Sequence, residues 1–197
     1  MKEYIVDNIK ESLDAKKRIL ENEGLISTIE KVAEACVEAY ISGHKVLACG
    51  NGGSASDALH MVGELVGRYK MERRGIAAVA LNSNVAVMTA LGNDYDYDSI
   101  YAKQVIALGN SGDVLFAIST SGNSKNIISA CNAAKNKGII VVGMTGEKGG
   151  MLGTACDFCL NVPSENTARI QEMHILLIHT ICGIIEKELY SRGYFEE

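Results

Sequence analysis

Five short apolar runs recur along this chain: Val46–Cys49, Ile76–Leu81, Val114–Ile118, Ile139–Met144 and Phe158–Val162. Longer stretches with helical patterning separate most of them. Apolar runs of this length read as strands buried on both faces, and strands alternating with helices imply a parallel sheet covered by helices. The expectation is a single α/β domain over residues 1–197, three-layered (αβα), with a five-stranded parallel sheet. Residues 1–43 stand ahead of the first run as a helical extension.

That extension reads as two helices. Ile5, Ile9, Leu13 and Leu20 recur near helical spacing, Asn22–Gly24 breaks the run, and Ile26, Ile29, Val32, Ala33, Cys36, Val37 and Tyr40 trace one face of a second helix ended by Gly43. Thr167 to Tyr190 reads as a last long helix with an apolar face. A length of 197 residues and 47% apolar content are enough for a buried core and too much for a disordered chain.

Charge and processing signals narrow the function classes. With a net charge of −5, the chain has no basic excess to neutralise a nucleic-acid backbone. Met1 to Arg18 mixes Lys, Glu and Asp and lacks the apolar centre of a signal peptide. The apolar stretch Ile175–Ile185 is too short to cross a bilayer. The expected location is the cytoplasm, with neither membrane nor nucleic acid as partner. There the six cysteines should stay thiols. Cys156 and Cys159 form a C-x-x-C pair, but no second pair or nearby histidines complete a zinc site. The pair also runs into a strand rather than opening a helix, so buried, inert cysteines are expected.

In open parallel sheets, ligands bind beyond the carboxyl ends of the strands. Gly50-Asn51-Gly52-Gly53-Ser54 follows the first run and opens a helix. Its glycines admit close backbone approach, and a helix N-terminus favours an anion. The pattern also fits G-x-G-x-x-A, but the second run ends in Leu81-Asn82-Ser83, without the acidic residue a dinucleotide site wants. The helix that follows carries Asp57, His60 and Glu64. His60 and Glu64 share a face and suit a metal, though such pairs are also common without one. Ser119-Thr120-Ser121-Gly122-Asn123-Ser124 follows the third run; its hydroxyls and helix N-terminus suit a phosphate monoester, the plainer reading being helix capping. No P-loop is present. Gln171 and His179, eight apart on the last helix, lie near one face, while His174 falls on another side. The charge run Lys70–Arg74 reads as a solvated turn, with Arg68 nearer the site.

Taken together, Gly50–Ser54, Asp57-Ala58-Leu59-His60, Glu64-Leu65, Asn93-Asp94, Ser119–Ser124 and Ala168-Arg169-Ile170-Gln171-Glu172 resemble the phosphoheptose isomerase family, of the sugar-isomerase (SIS) fold, over nearly the whole chain. The resemblance implies a flavodoxin-like sheet and the conversion of sedoheptulose 7-phosphate to D-glycero-D-manno-heptose 7-phosphate, at the start of activated-heptose synthesis. It implies a metal, with zinc suiting the set best, at His60, Glu64, Gln171 and His179. It implies substrate contacts at Asn51, Gly52, Gly53, Glu64, Asn93, Asp94, Ser119, Thr120, Ser121, Ser124 and Gln171, with Glu64 and His179 as the acid/base pair. It also implies a homotetramer with sites built between subunits. A relative of the same fold binds the replication initiator instead; its positions matching Glu64 and His179 are not acid/base residues, and both are present here.

Overall fold

The computed structural model describes residues 1–196. Helices α1 (Lys2–Leu20) and α2 (Glu23–Ile41) open the chain. There follow β1 (Val46–Gly50), α3 (Gly53–Val66), β2 (Ala78–Ala80), α4 (Val85–Asp94), α5 (Ile100–Leu108), β3 (Val114–Ile118), α6 (Lys125–Asn136), β4 (Ile140–Thr145), α7 (Leu152–Ala155), β5 (Phe158–Asn161) and α8 (Thr167–Ser191). Each of the five apolar runs overlaps a strand. The strand order is β2-β1-β3-β4-β5, and every pairing is parallel.

Alternation along the strands sorts side chains into two layers. Val46 and Ala48 of β1, with Phe116, Ile118, Val142 and Met144, pack against α2, α3 and α8 through residues such as Val37, Met61, Ile178 and Ile181. Leu47 and Cys49, with Leu115, Ala117 and Val141, face Tyr101 and Val105 of α5, Ile127 and Ala130 of α6, and Leu152 of α7. Both faces of β1 and β3 are covered, which is why these strands read as unbroken apolar runs. Fully burying a residue such as Ile181 stabilises the fold by roughly 1.5–3 kcal/mol.

By length and composition α8 could cross a membrane, yet half of its apolar window is buried and it carries the buried polar side chains of Arg169, His174 and Glu186. It is the central helix of one layer.

Two expectations change. On α1 only Ala15 and Ile19 are buried, while Ile5, Ile9, Leu13 and Leu20 face outward. Polar links hold this helix down instead: Arg18 Nη1 donates to Pro163 O at 2.7 Å, and Arg169 Nη1 donates to Asn8 O at 2.8 Å. Nor is the Lys70–Arg74 run simply solvated. Arg73 turns inward to Glu186 (Nε–Oε1 2.9 Å), their side chains 1% and 2% exposed.

What positions a site is the reversal of strand order. From β1 the sheet grows one way to β2 and the other way to β3, so the loops leaving β1 and β3 diverge and open a crevice between them. Those loops are the glycine segment and the serine segment.

Candidate active site

The glycine loop is shaped by backbone positions a side chain would spoil. Gly52 has φ +55°, and a Cβ on Gly53 would lie 2.3 Å from Gln171 Nε2. Asn51 is fixed by a reciprocal amide pair with Asn126 of α6. Asn51 Nδ2 donates to Asn126 Oδ1 at 2.9 Å, and Asn126 Nδ2 donates to Asn51 Oδ1 at 2.8 Å. Tyr97 Oη donates to the same Asn51 oxygen at 3.1 Å, and Tyr101 Oη donates to Gly50 O at 2.6 Å. Asn93 and Asp94 end α4, where Asn93 Nδ2 donates to Asp94 Oδ1 at 2.9 Å. Tyr97, three residues on, ties that segment to the glycine loop.

In the serine loop three hydroxyls converge. Ser119 Oγ lies 3.0 Å from Ser124 Oγ and 3.4 Å from Ser121 Oγ. Ser124 occupies the N-cap of α6, but its hydroxyl makes no capping bond. Capping alone therefore does not account for these serines. Thr120 O accepts from Gly146 N at 3.1 Å, and Thr120 and Ser121 border a cavity of about 160 Å³ closed by Gly146, Lys148 and Ser164. Neutral hydroxyls at a helix N-terminus can donate to a phosphate monoester without a bound cation.

The third feature is a convergence of side chains from α3 and α8 that could hold a metal ion. His60 Nε2 lies 2.9 Å from Glu64 Oε1 and 3.0 Å from His179 Nε2, although His60 and His179 are 119 residues apart in sequence. Glu64 Oε1 lies 3.9 Å from His179 Nε2. One ligand atom from each residue falls within 4.8 Å of the others. The edge of a tetrahedron with metal–ligand bonds of about 2.0–2.1 Å is about 3.3 Å, so this spacing and the N,N,O donor set fit zinc. Tyr69 stacks on His179, centroids 5.9 Å apart at 16°. One turn before His60, burial pushes the Asp57 carboxyl up to about 6, opposed by His60. The buried Asp57 Oδ2 has no hydrogen-bond partner among the described residues.

Gln171, expected as the fourth metal ligand, lies against Gly53, two turns of α8 ahead of His179. Its side-chain amide adjoins the start of α3 in the glycine loop. His174 is fully buried, its Nε2 3.3 Å from Thr145 O, and burial lowers its value to about 4. It is a core histidine, as its different side of the helix suggested. Arg68 is exposed, 3.6 Å from Glu72. Within one chain Thr120 and Ser121 on one hand and His179 on the other border different concavities. Thr120 and Ser121 border the small cavity, whereas His179 lines a groove of about 560 Å³ with Tyr69, Thr180 and Gly183.

Comparison with known proteins places this geometry. An SIS domain model matches residues 7–146. A phosphoheptose isomerase of Sulfurimonas denitrificans is 49% identical over 193 residues, covering 98% of this chain and 99% of that protein. The chain belongs to the phosphoheptose isomerase family. A second member, phosphoheptose isomerase 2 of Campylobacter jejuni, is 47% identical over 97% of this chain and 95% of its own. The solved phosphoheptose isomerase of Neisseria gonorrhoeae superposes with a TM-score of 0.89 at 43% identity, covering 94% of this chain and 98% of that one. The αβα architecture is thus that of the family.

Sequence reading missed several residues that hold the family's motifs in place. Asn126, Tyr97 and Tyr101 brace the glycine loop from α6 and α5. Tyr69, Arg73 and Glu186 brace the ligand cluster. Arg73 donates to the backbone oxygens of Glu64 and Leu65, while Glu186 accepts from the N–H groups of Tyr69, Lys70 and Met71. No local pattern marks these pairs, because their partners are remote in sequence. The nearest signal was an acidic residue, Glu186, inside an apolar helix face.

Proposed function

We propose that this chain isomerises sedoheptulose 7-phosphate to D-glycero-D-manno-heptose 7-phosphate, supplying activated-heptose synthesis from the cytoplasm. The observation that carries the reading is the meeting of His60, Glu64 and His179. Ketose–aldose isomerisation removes a proton from C1 and returns one to C2 through an enediol, so it needs a base, an acid and stabilisation of negative oxygen. Glu64 and His179 are the acid/base pair. Glu64 turns Oε1 to the histidines, and its Oε2 makes no hydrogen bond among the described residues, leaving one carboxylate oxygen for the C1 proton. His179, held by the Tyr69 ring, moves the second proton when its Nε2 is not bound to the metal. Zinc held by His60, Glu64 and His179 would supply a Lewis acid for the developing enediolate. Ser119, Thr120, Ser121 and Ser124 take the phosphate, and Asn51, Gly52, Gly53, Asn93, Asp94 and Gln171 line the sugar.

Within one chain Thr120 and Ser121 border one concavity and His179 another. That supports a homo-oligomer, a tetramer in our reading, in which one copy's cluster faces another copy's loops and Gln171 completes the ligand set across the boundary. The test is turnover of sedoheptulose 7-phosphate followed by NMR, with and without a chelator. Wild type should form the aldoheptose phosphate, lose activity to the chelator and regain it with zinc. Glu64→Gln and His179→Ala, folded, should lose at least about 100-fold. Absence of turnover in zinc-replete wild-type protein would contradict the reading.

A further inference from the structure

Two of the six cysteines do not fit the inert, buried picture. Cys36, Cys49, Cys131 and Cys182 lie in the core, and burial pushes their thiols up. Cys156 and Cys159 are only half-buried. Cys156 caps the C-terminal end of α7, and the bend at residues 156–157 turns the chain into β5, the edge strand holding Cys159. The Cα partner of Cys159 on β4 is Gly143. Directly paired residues project to the same sheet face. A Cβ on Gly143 would lie 2.9 Å from Cys156 Sγ, so the Cys156 sulfur fills the space left by that glycine, on the face toward which Cys159 projects.

The neighbouring Cys159 thiol holds the Cys156 thiol below its ordinary value, Lys135 adding to the effect, while Cys156 and burial raise the Cys159 thiol. Activation by a neighbouring thiol takes the place of the helix N-terminus that usually serves a C-x-x-C pair. A metal does not explain the pair. Among the described residues the one group of three ligands within 4.8 Å is His60, Glu64 and His179.

We propose that Cys156 and Cys159 form a site of reversible oxidation, closing an intramolecular disulfide at the expense of a small-molecule disulfide. The Cys156 thiolate attacks one sulfur of the oxidant, forming a mixed disulfide and expelling the first thiolate. Cys159 gives up its proton and attacks Cys156 Sγ, expelling the second. The pair loses two electrons and two protons, and the oxidant gains both to become two thiols. The bond also reaches the serine loop. α7 and the residue before it are tied there by Leu152 N to Gly122 O at 2.9 Å and Met151 N to Asn123 Oδ1 at 3.0 Å. Drawing Cys156 toward Cys159 therefore shifts the support of the loop and raises KM for the sugar phosphate. This consequence, unlike the disulfide itself, rests on the loop binding phosphate.

The test is peptide mass spectrometry of the folded full chain after exposure to oxidised glutathione near neutral pH. The peptide carrying both cysteines should lose two hydrogens, and dithiothreitol should restore them. Cys159→Ser should stop at a glutathione adduct on Cys156, while Cys156→Ser should remain unmodified over the same time. Thermal melts of both variants check their folding. Two free thiols in the wild-type peptide, or equal reactivity of the two serine variants, would overturn the proposal. Because the bond is read by mass, an unchanged KM in fully oxidised protein would overturn only the coupling to the loop.

Discussion

At the scale of single residues, helix geometry separates the two histidines of α8. Five residues turn the helix by about 140°, which sends His174 to the sheet and His179 to the groove beside α3. Burial holds His174 neutral, at about 4 against an ordinary 6.5. The unfolded chain binds its proton between those values and the folded chain does not. Stability from this group is therefore full above about pH 6.5 and is lost as pH falls toward 4, by up to roughly 3 kcal/mol. Urea unfolding at pH 7 and pH 4.5 should show a smaller difference in His174→Gln than in wild type; equal differences would contradict the assignment. The i,i+4 pair His60 and Glu64 was legible from spacing, because spacing fixes a helix face. Their meeting with His179 was not, because it depends on how α3 and α8 pack. The hydroxyl cradle was legible as a loop, but the lack of a cap bond from Ser124 is a structural fact.

At the scale of elements, the strands were legible because burial on both faces leaves unbroken apolar runs; β1, β3, β4 and β5 fall within a residue or two of them. β2 shrinks to Ala78–Ala80 at the sheet edge, where it has one neighbour. The elements hardest to read were α4, which buries no residue, and the four-residue α7. In the Lys70–Arg74 run, Lys70, Glu72 and Arg74 are exposed as expected, but Arg73 is not, because only the fold brings Glu186 to it. Burial pushes the Glu186 carboxyl up, but the N–H of Lys70, the Arg73 guanidinium and the N–H of Tyr69 more than offset it and leave it below the usual range. Removing one partner of such a pair costs about 3–5 kcal/mol. Glu186→Gln should lower denaturant stability strongly, and Glu186→Leu more strongly still, because the N–H groups of Tyr69, Lys70 and Met71 then lose their acceptor. In Glu186→Gln the loosened Tyr69 should also weaken zinc binding through His179. Unchanged zinc affinity would show that this network is only structural.

At the scale of the whole molecule, α1 presents Ile5, Ile9 and Leu13, each more than half exposed and four residues apart, away from the core. With polar bonds inward and an apolar stripe outward, α1 supports our reading of an oligomer. Ile9→Glu with Leu13→Lys should yield a smaller, folded species in light scattering with a large loss of activity. If sites form between copies, inactive Glu64→Gln and inactive Ser119→Ala with Ser121→Ala should regain partial activity when co-assembled. The sequence carried the family through its motifs, but one chain's residues do not reveal which surfaces meet. The most direct measurement of the central claim is isomerisation in deuterium oxide, read by NMR at C2 of the aldose product. The account predicts deuterium at C2 with zinc-loaded wild type and almost none formed by folded, zinc-loaded Glu64→Gln. Product without solvent deuterium, or undiminished exchange in Glu64→Gln, would contradict it.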